Sequence, residues 1–218
     1  MLTYAIGDIH GCADHLRQLL AEIDGHRAGR ARKLIFLGDY IDRGPDSAGV
    51  IGLLRALQAA EPQDVVCLMG NHEDLMLNAY HVPGERLNWL MNGGNKALLS
   101  FGIEGPEELP RDVVQWAQSL PTVHEDGLRY FVHAGFRPRA LVPDPDDHVR
   151  LWIREPFLSE DYDFGKLVVH GHTPLKSAEP DVHRHRINLD TACVFGGRLT
   201  AAVFSQERPH PVEFLQVG

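Results

Sequence analysis

The sequence contains little cysteine: there are three cysteines in 218 residues, at positions 12, 67 and 193. So few thiols, so widely spaced, exclude a disulfide framework and a zinc site built from Cys-x-x-Cys motifs. We interpret Cys12, Cys67 and Cys193 as buried or half-buried thiols. Unpaired thiols fit a reducing compartment, so we expect a cytoplasmic protein.

Long apolar runs and dense basic clusters are also missing. No stretch approaches the roughly 20 apolar residues that cross a bilayer, and residues 1–8 lack the basic and apolar regions of a signal peptide. The formal net charge is −9 and Lys and Arg do not cluster, which argues against binding of long nucleic acid through its phosphates. We therefore predict neither a membrane nor a long nucleic acid as partner, although a deep cationic site could hold one phosphate.

The composition that remains is that of a folded protein, with 44% hydrophobic and 23% charged residues. Its length is within the range of a single α/β or mixed domain with one sizeable core. We therefore expect one domain over residues 1–218.

The first third of the chain alternates between apolar runs and helical spacing. Residues 2–6 form a short apolar run, and leucine and isoleucine then recur at helical intervals over 16–23. The same unit follows twice more, with strands over 33–37 and 64–69 and a helix over 47–60 between them. Such alternation predicts parallel strands with right-handed crossovers, which gather the loops after the strands along one edge of the sheet.

The pattern changes in the rest of the chain. Residues 85–120 have helical spacing interrupted by glycines, and we predict a helical cap or insertion there. Short β-like runs follow, over 128–133, 167–170, 183–189, 199–204 and 211–217. Two β-rich halves predict a mixed α/β fold, in which two sheets pack face to face as a sandwich with helices outside.

Five short polar motifs each follow a predicted strand. In chain order they are Gly7-Asp8-Ile9-His10-Gly11, Gly38-Asp39-Tyr40-Ile41-Asp42-Arg43-Gly44, Gly70-Asn71-His72-Glu73, His133-Ala134-Gly135 and Gly171-His172-Thr173-Pro174. Carboxylates, imidazoles and an amide oxygen form a mixed hard and borderline ligand set, which suits Mn²⁺, Fe or Zn²⁺. Taken singly, each Asp or Asn would be interpreted as a cap or turn residue and each His as a structural group. Their joint order favours a metal site.

Together the five motifs resemble the phosphoprotein phosphatase branch of the calcineurin-like metallophosphoesterases, whose order is GDxHG, GDxxDRG, GNHE, HAG or HGG, and GHTP. The resemblance runs from residue 7 to about residue 174. The later segments Asp190-Thr191 and Gly196-Gly197-Arg198-Leu199-Thr200 are similar to the bacterial and phage-type members. The resemblance implies the family's two-sheet sandwich and the activity of a serine/threonine protein phosphatase.

The resemblance also implies a cofactor of two divalent metal ions, Mn²⁺ in the first place, with Fe or Zn²⁺ as alternatives. The ligands it implies are Asp8 and His10 for the first ion, Asn71, His133 and His172 for the second, and Asp39 as the bridge. Such a pair activates a hydroxide for in-line attack on the phosphorus of a phosphomonoester, so no covalent enzyme nucleophile is needed.

Four further residues receive roles from the same resemblance. His72 would be the catalytic acid that protonates the leaving oxygen, and Asp42 would orient it. Arg43 would bind a nonbridging phosphate oxygen through its planar guanidinium, with Arg154 as a second phosphate-contacting arginine. Asn71 would contact the phosphate as well as the metal.

Some assignments stay open at this stage. His170 and His172 would share a face of a continuing strand, so either could reach the metal; the motif favours His172. Glu73 is interpreted as a partner of the ligands, and Trp89 as a core residue. Met69 stands where many phosphoprotein phosphatases have arginine, which removes one cation and weakens the case for protein substrates.

Phosphorylated proteins or small phosphoesters are therefore the expected substrates. The rival within the class is a symmetrical bis(5'-nucleosyl)-tetraphosphatase, which uses a similar site on a phosphoanhydride, although no motif here reads adenine or ribose. A rival that is not an enzyme is a noncatalytic phosphate-binding or scaffolding module. Such a protein usually lacks a metal ligand or the catalytic acid, whereas every proposed ligand and His72 are present here. Nothing in the sequence indicates an oligomeric state.

Overall fold

The computed structural model describes residues 1–218 and contains ten strands and seven α-helices. The strands are β1 Leu2–Ile6, β2 Arg32–Phe36, β3 Val65–Cys67, β4 Val123–Glu125, β5 Arg129–Val132, β6 Leu167–His170, β7 Asp181–Val182, β8 Arg186–Asn188, β9 Leu199–Phe204 and β10 Glu213–Val217. The helices are α1 Ala13–Arg27, α2 Ser47–Ala60, α3 Asn71–His81, α4 Arg86–Trp89, α5 Asn95–Phe101, α6 Arg111–Gln118 and α7 Asp147–Trp152.

The strands form two five-stranded sheets. The first has the order β10-β9-β1-β2-β3, and its three strands β1, β2 and β3 are parallel. The second has the order β4-β5-β6-β8-β7, with β5, β6 and β8 parallel. The strand-loop-helix repeats near the amino terminus supply the parallel half of the first sheet, as the spacing predicts, because each crossover is long enough to contain a helix.

Buried side chains form three layers around these sheets. One cluster fills the space between the first sheet and the helices, with Tyr4, Leu34 and Phe36 packed on residues of α1 and α2. A second cluster lies between the two sheets, where Ile35 of β2 belongs to the same cluster as Val169 of β6. A third cluster covers the outer face of the second sheet. The predicted sandwich of two sheets flanked by helices is confirmed.

The segment predicted as a helical cap contains α4, a π-helical stretch at Leu90–Gly94, α5 and α6, and it packs on α2 and α3. That the whole chain is one domain capped by this segment stays a prediction. The structure has no helix with the length and apolarity needed to cross a membrane.

One sequence-based strand is wrong in its first half. Residues 183–189 do not form one strand; instead β7 and β8 make a tight antiparallel hairpin. The hairpin is closed by the backbone N–H of His183, which donates to the carbonyl oxygen of Arg186 at 2.9 Å. The pattern of alternating side chains is the same on both sides of such a turn, so periodicity alone did not reveal it.

Candidate metal centre

All the predicted ligands lie just beyond the carboxyl ends of parallel strands. Asp8 and His10 follow β1, and Asp39 follows β2. Asn71 begins α3 directly after β3, whereas His133 and His172 follow β5 and β6 of the other sheet. Since both sheets contribute parallel strands to this edge, ligands separated by up to 164 positions become neighbours.

Two trios of side chains share the carboxylate of Asp39. The first contains His10, Asp39 and His72, and the second contains Asp39, His133 and His172; within each trio the ligand atoms lie within 4.8 Å of one another. Asp39 Oδ2 is 3.4 Å from His10 Nε2, and Asp39 Oδ1 is 3.3 Å from His133 Nε2. A carboxylate that faces two donor groups with its two oxygens has the arrangement needed to bridge two cations.

Asn71 and Asp8 extend the two trios. The amide oxygen of Asn71 is 2.9 Å from His133 Nε2 and 2.8 Å from His172 Nδ1. Asp8 is not a member of either trio. Its carboxylate accepts the backbone N–H of His172 at 3.0 Å, and this hydrogen bond holds Asp8 at the same edge of the sheets. The structure therefore brings all six predicted ligands to one site.

Backbone hydrogen bonds orient two of the imidazoles. His133 Nδ1 is 2.8 Å from the carbonyl oxygen of Leu37, and His10 Nδ1 is 2.8 Å from that of Ile41. Because a carbonyl only accepts, each Nδ1 carries the proton, and each Nε2 presents a lone pair towards Asp39. A metal ion bound at Nε2 requires this tautomer.

The electrostatics of the site also fit cations. Burial lowers the pKa of His10 and of His172 to about 3, so both are neutral imidazoles, the form that ligates metals. Burial raises the pKa of Asp190 to about 6 and raises that of Asp8 well above its usual value. Carboxyl groups at the site outnumber the cationic side chains, and divalent cations would balance that charge.

His72 is positioned by Asp42 and by a residue that sequence analysis missed. His72 Nδ1 lies 2.6 Å from Asp42 Oδ2, while His72 Nε2 is buried and has no hydrogen-bond partner. The indole N–H of Trp89 donates to Asp42 at 2.9 Å, so the fully buried Trp89 is more than the core residue it was interpreted to be. No local sequence signal links Trp89 to a carboxylate 47 positions away.

The Trp89 hydrogen bond leads to a stability prediction. We expect Trp89→Phe to lower the free energy of unfolding by about 1.5–3 kcal/mol, since it removes a donor from a buried carboxyl group. Trp116→Phe is the matched control, because its indole donates to the neutral amide oxygen of Gln58 at 2.7 Å and should contribute about 0.5–1.5 kcal/mol. Urea unfolding measures both losses of free energy, as shifts of the midpoint with the slope m unchanged. Equal losses in the two variants would contradict the prediction.

Glu73 links the second and third motifs. Its two carboxyl oxygens accept the backbone N–H groups of Asp39 and Tyr40 at 2.9 Å and of Gly70 at 3.0 Å. Burial raises its pKa to about 8. The interpretation of Glu73 as a partner of the ligands agrees with these contacts, because it fixes the loop that carries Asp39.

Two arginines were predicted to bind phosphate, and they occupy different surroundings. Arg43 Nη1 donates to His10 Nε2 at 2.6 Å, so in this rotamer it uses the lone pair that a metal at His10 would take. Arg154 is exposed and has no ion-pair partner, yet it is close enough to His172 to lower the pKa of that imidazole. Arg43 must therefore adopt another rotamer before His10 can ligate a metal and Arg43 can bind a phosphate oxygen.

His170 points into a different environment from His172. Its ring packs edge-on against Phe157 at a centroid distance of 4.9 Å, and burial lowers its pKa to about 3. Only His172 of the pair lies in a trio with Asp39. Met69 is half-buried against the first core cluster.

The loops of the site carry unusual backbone conformations. Five residues have positive φ, namely His10 at 46°, Asp39 at 53°, Asp42 at 72°, Arg43 at 64° and His172 at 68°. Gly38 has φ 102°, and a Cβ there would meet the backbone of Gly70 at 2.6 Å. The left-handed region costs L-residues roughly 1–2 kcal/mol each, so the surrounding contacts must hold these loops in place.

Comparison with known proteins gives a family match over most of the chain. The family model described as calcineurin-like phosphoesterase matches residues 1–206. The bis(5'-nucleosyl)-tetraphosphatase PrpE [asymmetrical] of Oceanobacillus iheyensis is 29% identical over 250 residues, covering 98% of this chain and 90% of that protein. Serine/threonine-protein phosphatase 1 of Salmonella typhimurium is 31% identical over 208 residues, covering 92% and 90%.

A solved structure of similar fold belongs to a protein provisionally called a diadenosine tetraphosphatase. It matches with a TM-score of 0.73 and 26% identity, covering 99% of this chain and 92% of the other. The relatives thus include proteins named for two different phosphorus-containing substrates.

Proposed function

We propose that this chain hydrolyses phosphomonoesters of serine and threonine in proteins. The chain belongs to the calcineurin-like phosphoesterase family and is a metal-dependent phosphatase. The proposed cofactor is a pair of divalent metal ions, Mn²⁺ in the first place, with Fe or Zn²⁺ as alternatives. The proposed setting is the cytoplasm, and three free thiols support a reducing compartment.

The observation that carries the proposal is the shared position of Asp39 between two trios, with His72 beside it. In this proposal Asp8, His10 and Asp39 hold one ion, and Asp39, Asn71, His133 and His172 hold the other; the bound ions supply Lewis-acid activation of water and of the phosphoryl oxygens. His72 Nε2 has no hydrogen-bond partner and lies 3.9 Å from Asp39 Oδ2, and we assign this nitrogen the role of proton donor to the phosphoester.

The proton chemistry falls to His72 and Asp42. Burial lowers the pKa of His72, but Asp39 and the hydrogen bond to Asp42 outweigh burial, so its pKa is raised. Both carboxylates favour the protonated imidazole, and in this proposal Nε2–H donates its proton to the leaving oxygen of the ester. Asp42 holds the ring through Nδ1, and Trp89 in turn holds Asp42.

The phosphate itself would be held by cations of this chain. Arg43 lies in the same loop as Asp39, and turning away from His10 would bring its guanidinium to a nonbridging oxygen. Arg154, exposed near His172, is the second proposed phosphate contact. Asn71 would contribute its amide N–H groups, since its oxygen already faces the two imidazoles.

A second candidate substrate is a dinucleoside tetraphosphate. Its support is Phe195, whose side chain is 63% exposed and lies beside Arg43, with the guanidinium carbon 5.6 Å from the ring centroid. Phe195 also lines an open groove of about 400 Å³ with Pro174 and Leu175, directly after the ligand His172. An exposed ring next to a phosphate-binding arginine is suited to stack on a nucleobase.

A substrate panel tests these alternatives. We expect Mn²⁺-stimulated phosphate release from a phosphoserine peptide and from an aryl phosphate; preferential cleavage of diadenosine tetraphosphate would overturn the first choice. If the dinucleotide is the substrate, Phe195→Ala should lower its kcat/KM by about tenfold, as expected for one lost stacking contact, with peptide turnover unchanged. No hydrolysis of any of the three by metal-loaded protein would favour the noncatalytic module.

A further inference from the structure

Three metal-ligating side chains outside the candidate metal centre lie together at the start of α1. They are Cys12, His15 and Cys193, and their ligand atoms all lie within 4.8 Å of one another. Cys12 and Cys193 are buried, with exposed fractions of 8% and 6%, and His15 is half-buried. The two cysteines are 181 positions apart, so their spacing in the sequence gave no sign of this cluster.

The fold holds both sides of the cluster in place. Cys12 is the residue before α1, and its N–H donates to the carbonyl oxygen of Ile9 at 3.1 Å; His15 lies three residues later, on the same face of the first turn. Cys193 begins a short 3₁₀ helix, Cys193–Phe195, directly after Ala192, whose N–H donates to Asp190 at 3.1 Å. The cluster is therefore pre-organised by neighbouring hydrogen bonds.

The protein makes little other use of these ligand atoms. The imidazole of His15 makes no hydrogen bond to the protein, and the partner of the Cys193 thiol is the Cys12 thiol. Besides the Cys193 thiol, Cys12 Sγ makes a long contact of 3.8 Å to the carbonyl oxygen of His10. Half-burial of His15 leaves a side from which an ion can approach.

We propose that Cys12, His15 and Cys193 form a separate site for a thiophilic cation with filled d orbitals, Zn²⁺ in the first instance. Two thiolates and an imidazole are soft or borderline ligands and discriminate against Mn²⁺ and Mg²⁺. Tetrahedral Zn²⁺ has Zn–S bonds of about 2.3 Å and Zn–N bonds of about 2.0–2.1 Å, which separates the ligand atoms by roughly 3.5–3.8 Å. Side-chain shifts of about 1 Å suffice, and a water molecule completes the coordination.

A disulfide between Cys12 and Cys193 accounts for less of the cluster. It would need the sulfurs at about 2.05 Å and would leave His15 without a part. A bound ion instead uses all three groups, and two thiolates neutralise its charge. The ion would tie α1, which follows the ligands Asp8 and His10, to the loop 190–197, and this role is independent of which phosphoester the chain hydrolyses.

Cadmium binding tests the site in the intact protein. Protein loaded with excess Mn²⁺ is titrated with Cd²⁺ under a phosphine reductant, and the ultraviolet thiolate-to-cadmium charge-transfer band is recorded. We expect one equivalent to give the amplitude of two thiolates, because Cd²⁺ in an Asp/His centre gives no such band. Zn²⁺ should then abolish the band, and further Mn²⁺ should not.

Variants identify the ligands. Cys12→Ser and Cys193→Ser should each lose at least half of the amplitude, whereas Cys67→Ala, at a cysteine buried in the core, should keep it. His15→Ala, at a half-exposed position that the fold tolerates, should weaken Cd²⁺ affinity by about tenfold or more with both thiolates still bound. The proposal is overturned by absence of the band in the unchanged protein, by full amplitude in both serine variants, or by a Cys12–Cys193 disulfide that persists under the reductant.

Discussion

Replacing His72 by asparagine should lower turnover by about 10²-fold or more, the range expected when a general acid is removed. Asparagine fills most of the same volume at the start of α3 but has no acidic proton. His72 Nε2 is not needed as a ligand in the proposed centre, so the metal content should stay that of the unchanged protein. Turnover of the metal-loaded protein and elemental analysis measure the two effects separately.

His81→Asn is the matched control, since it makes the same change at the exposed end of the same helix and should leave turnover unchanged. A second measurement is the pH profile. The raised pKa of His72 means that the protonated acid persists to a higher pH than in an ordinary histidine and is lost as the pH rises through that pKa. The unchanged protein should therefore lose kcat on the alkaline side, and equal rates and profiles in His72→Asn would remove His72 from its role.

Replacing Asp39 by asparagine should abolish activity more completely, by about 10³-fold or more. Asp39 is the one carboxylate shared by both trios, so the change removes the negative charge common to both proposed ions. Metal stabilisation of the transition state contributes several kcal/mol, and each 1.36 kcal/mol is tenfold in rate. We also expect less than the full metal content, unlike in His72→Asn.

The surrounding imidazoles provide a reason why the charge itself matters. Burial opposes ionisation of Asp39, but His133, His72 and His10 attract its negative charge when they are protonated, which holds the pKa of Asp39 below the usual value. Asp24→Asn is the control for the chemical change, because Asp24 is an exposed carboxylate paired with Arg27 at 2.7 Å and should have no effect on turnover. Full metal content and more than a tenth of normal turnover in Asp39→Asn would contradict a bridging role.

Much of the site was predictable because its residues follow parallel strands. Asp8, Asp39 and Asn71 each come directly after an apolar run, and parallel topology alone brings the ends of such strands together. The choice of His172 over His170 was open in the sequence because a continuing strand would put both on one face. The structure separates them because β6 ends at His170 and the backbone turns at His172, whose φ is 68°, leaving His170 against Phe157.

Other parts of the site depend on packing that no local pattern encodes. Trp89 reaches Asp42 only because the segment 85–120 folds back over α3, and its helical spacing indicated merely a buried aromatic. The meeting of Cys12 with Cys193 requires both the N-terminus of α1 and the loop before β9 to reach the same edge. Likewise, the hairpin of β7 and β8 was missed because alternation continues through the turn.

The positive φ angles of His10, Asp39, Asp42, Arg43 and His172 have a consequence for how this protein can change. Glycine at any of these positions would relieve the backbone and delete a side chain with a proposed role, so the loops cannot be relaxed without disabling the site. A search for more heat-resistant variants should therefore recover substitutions on exposed helix faces, such as those of α1 and α6, and almost none in these loops. The edge that bears the chemistry is the part of the chain with the least room for adaptation.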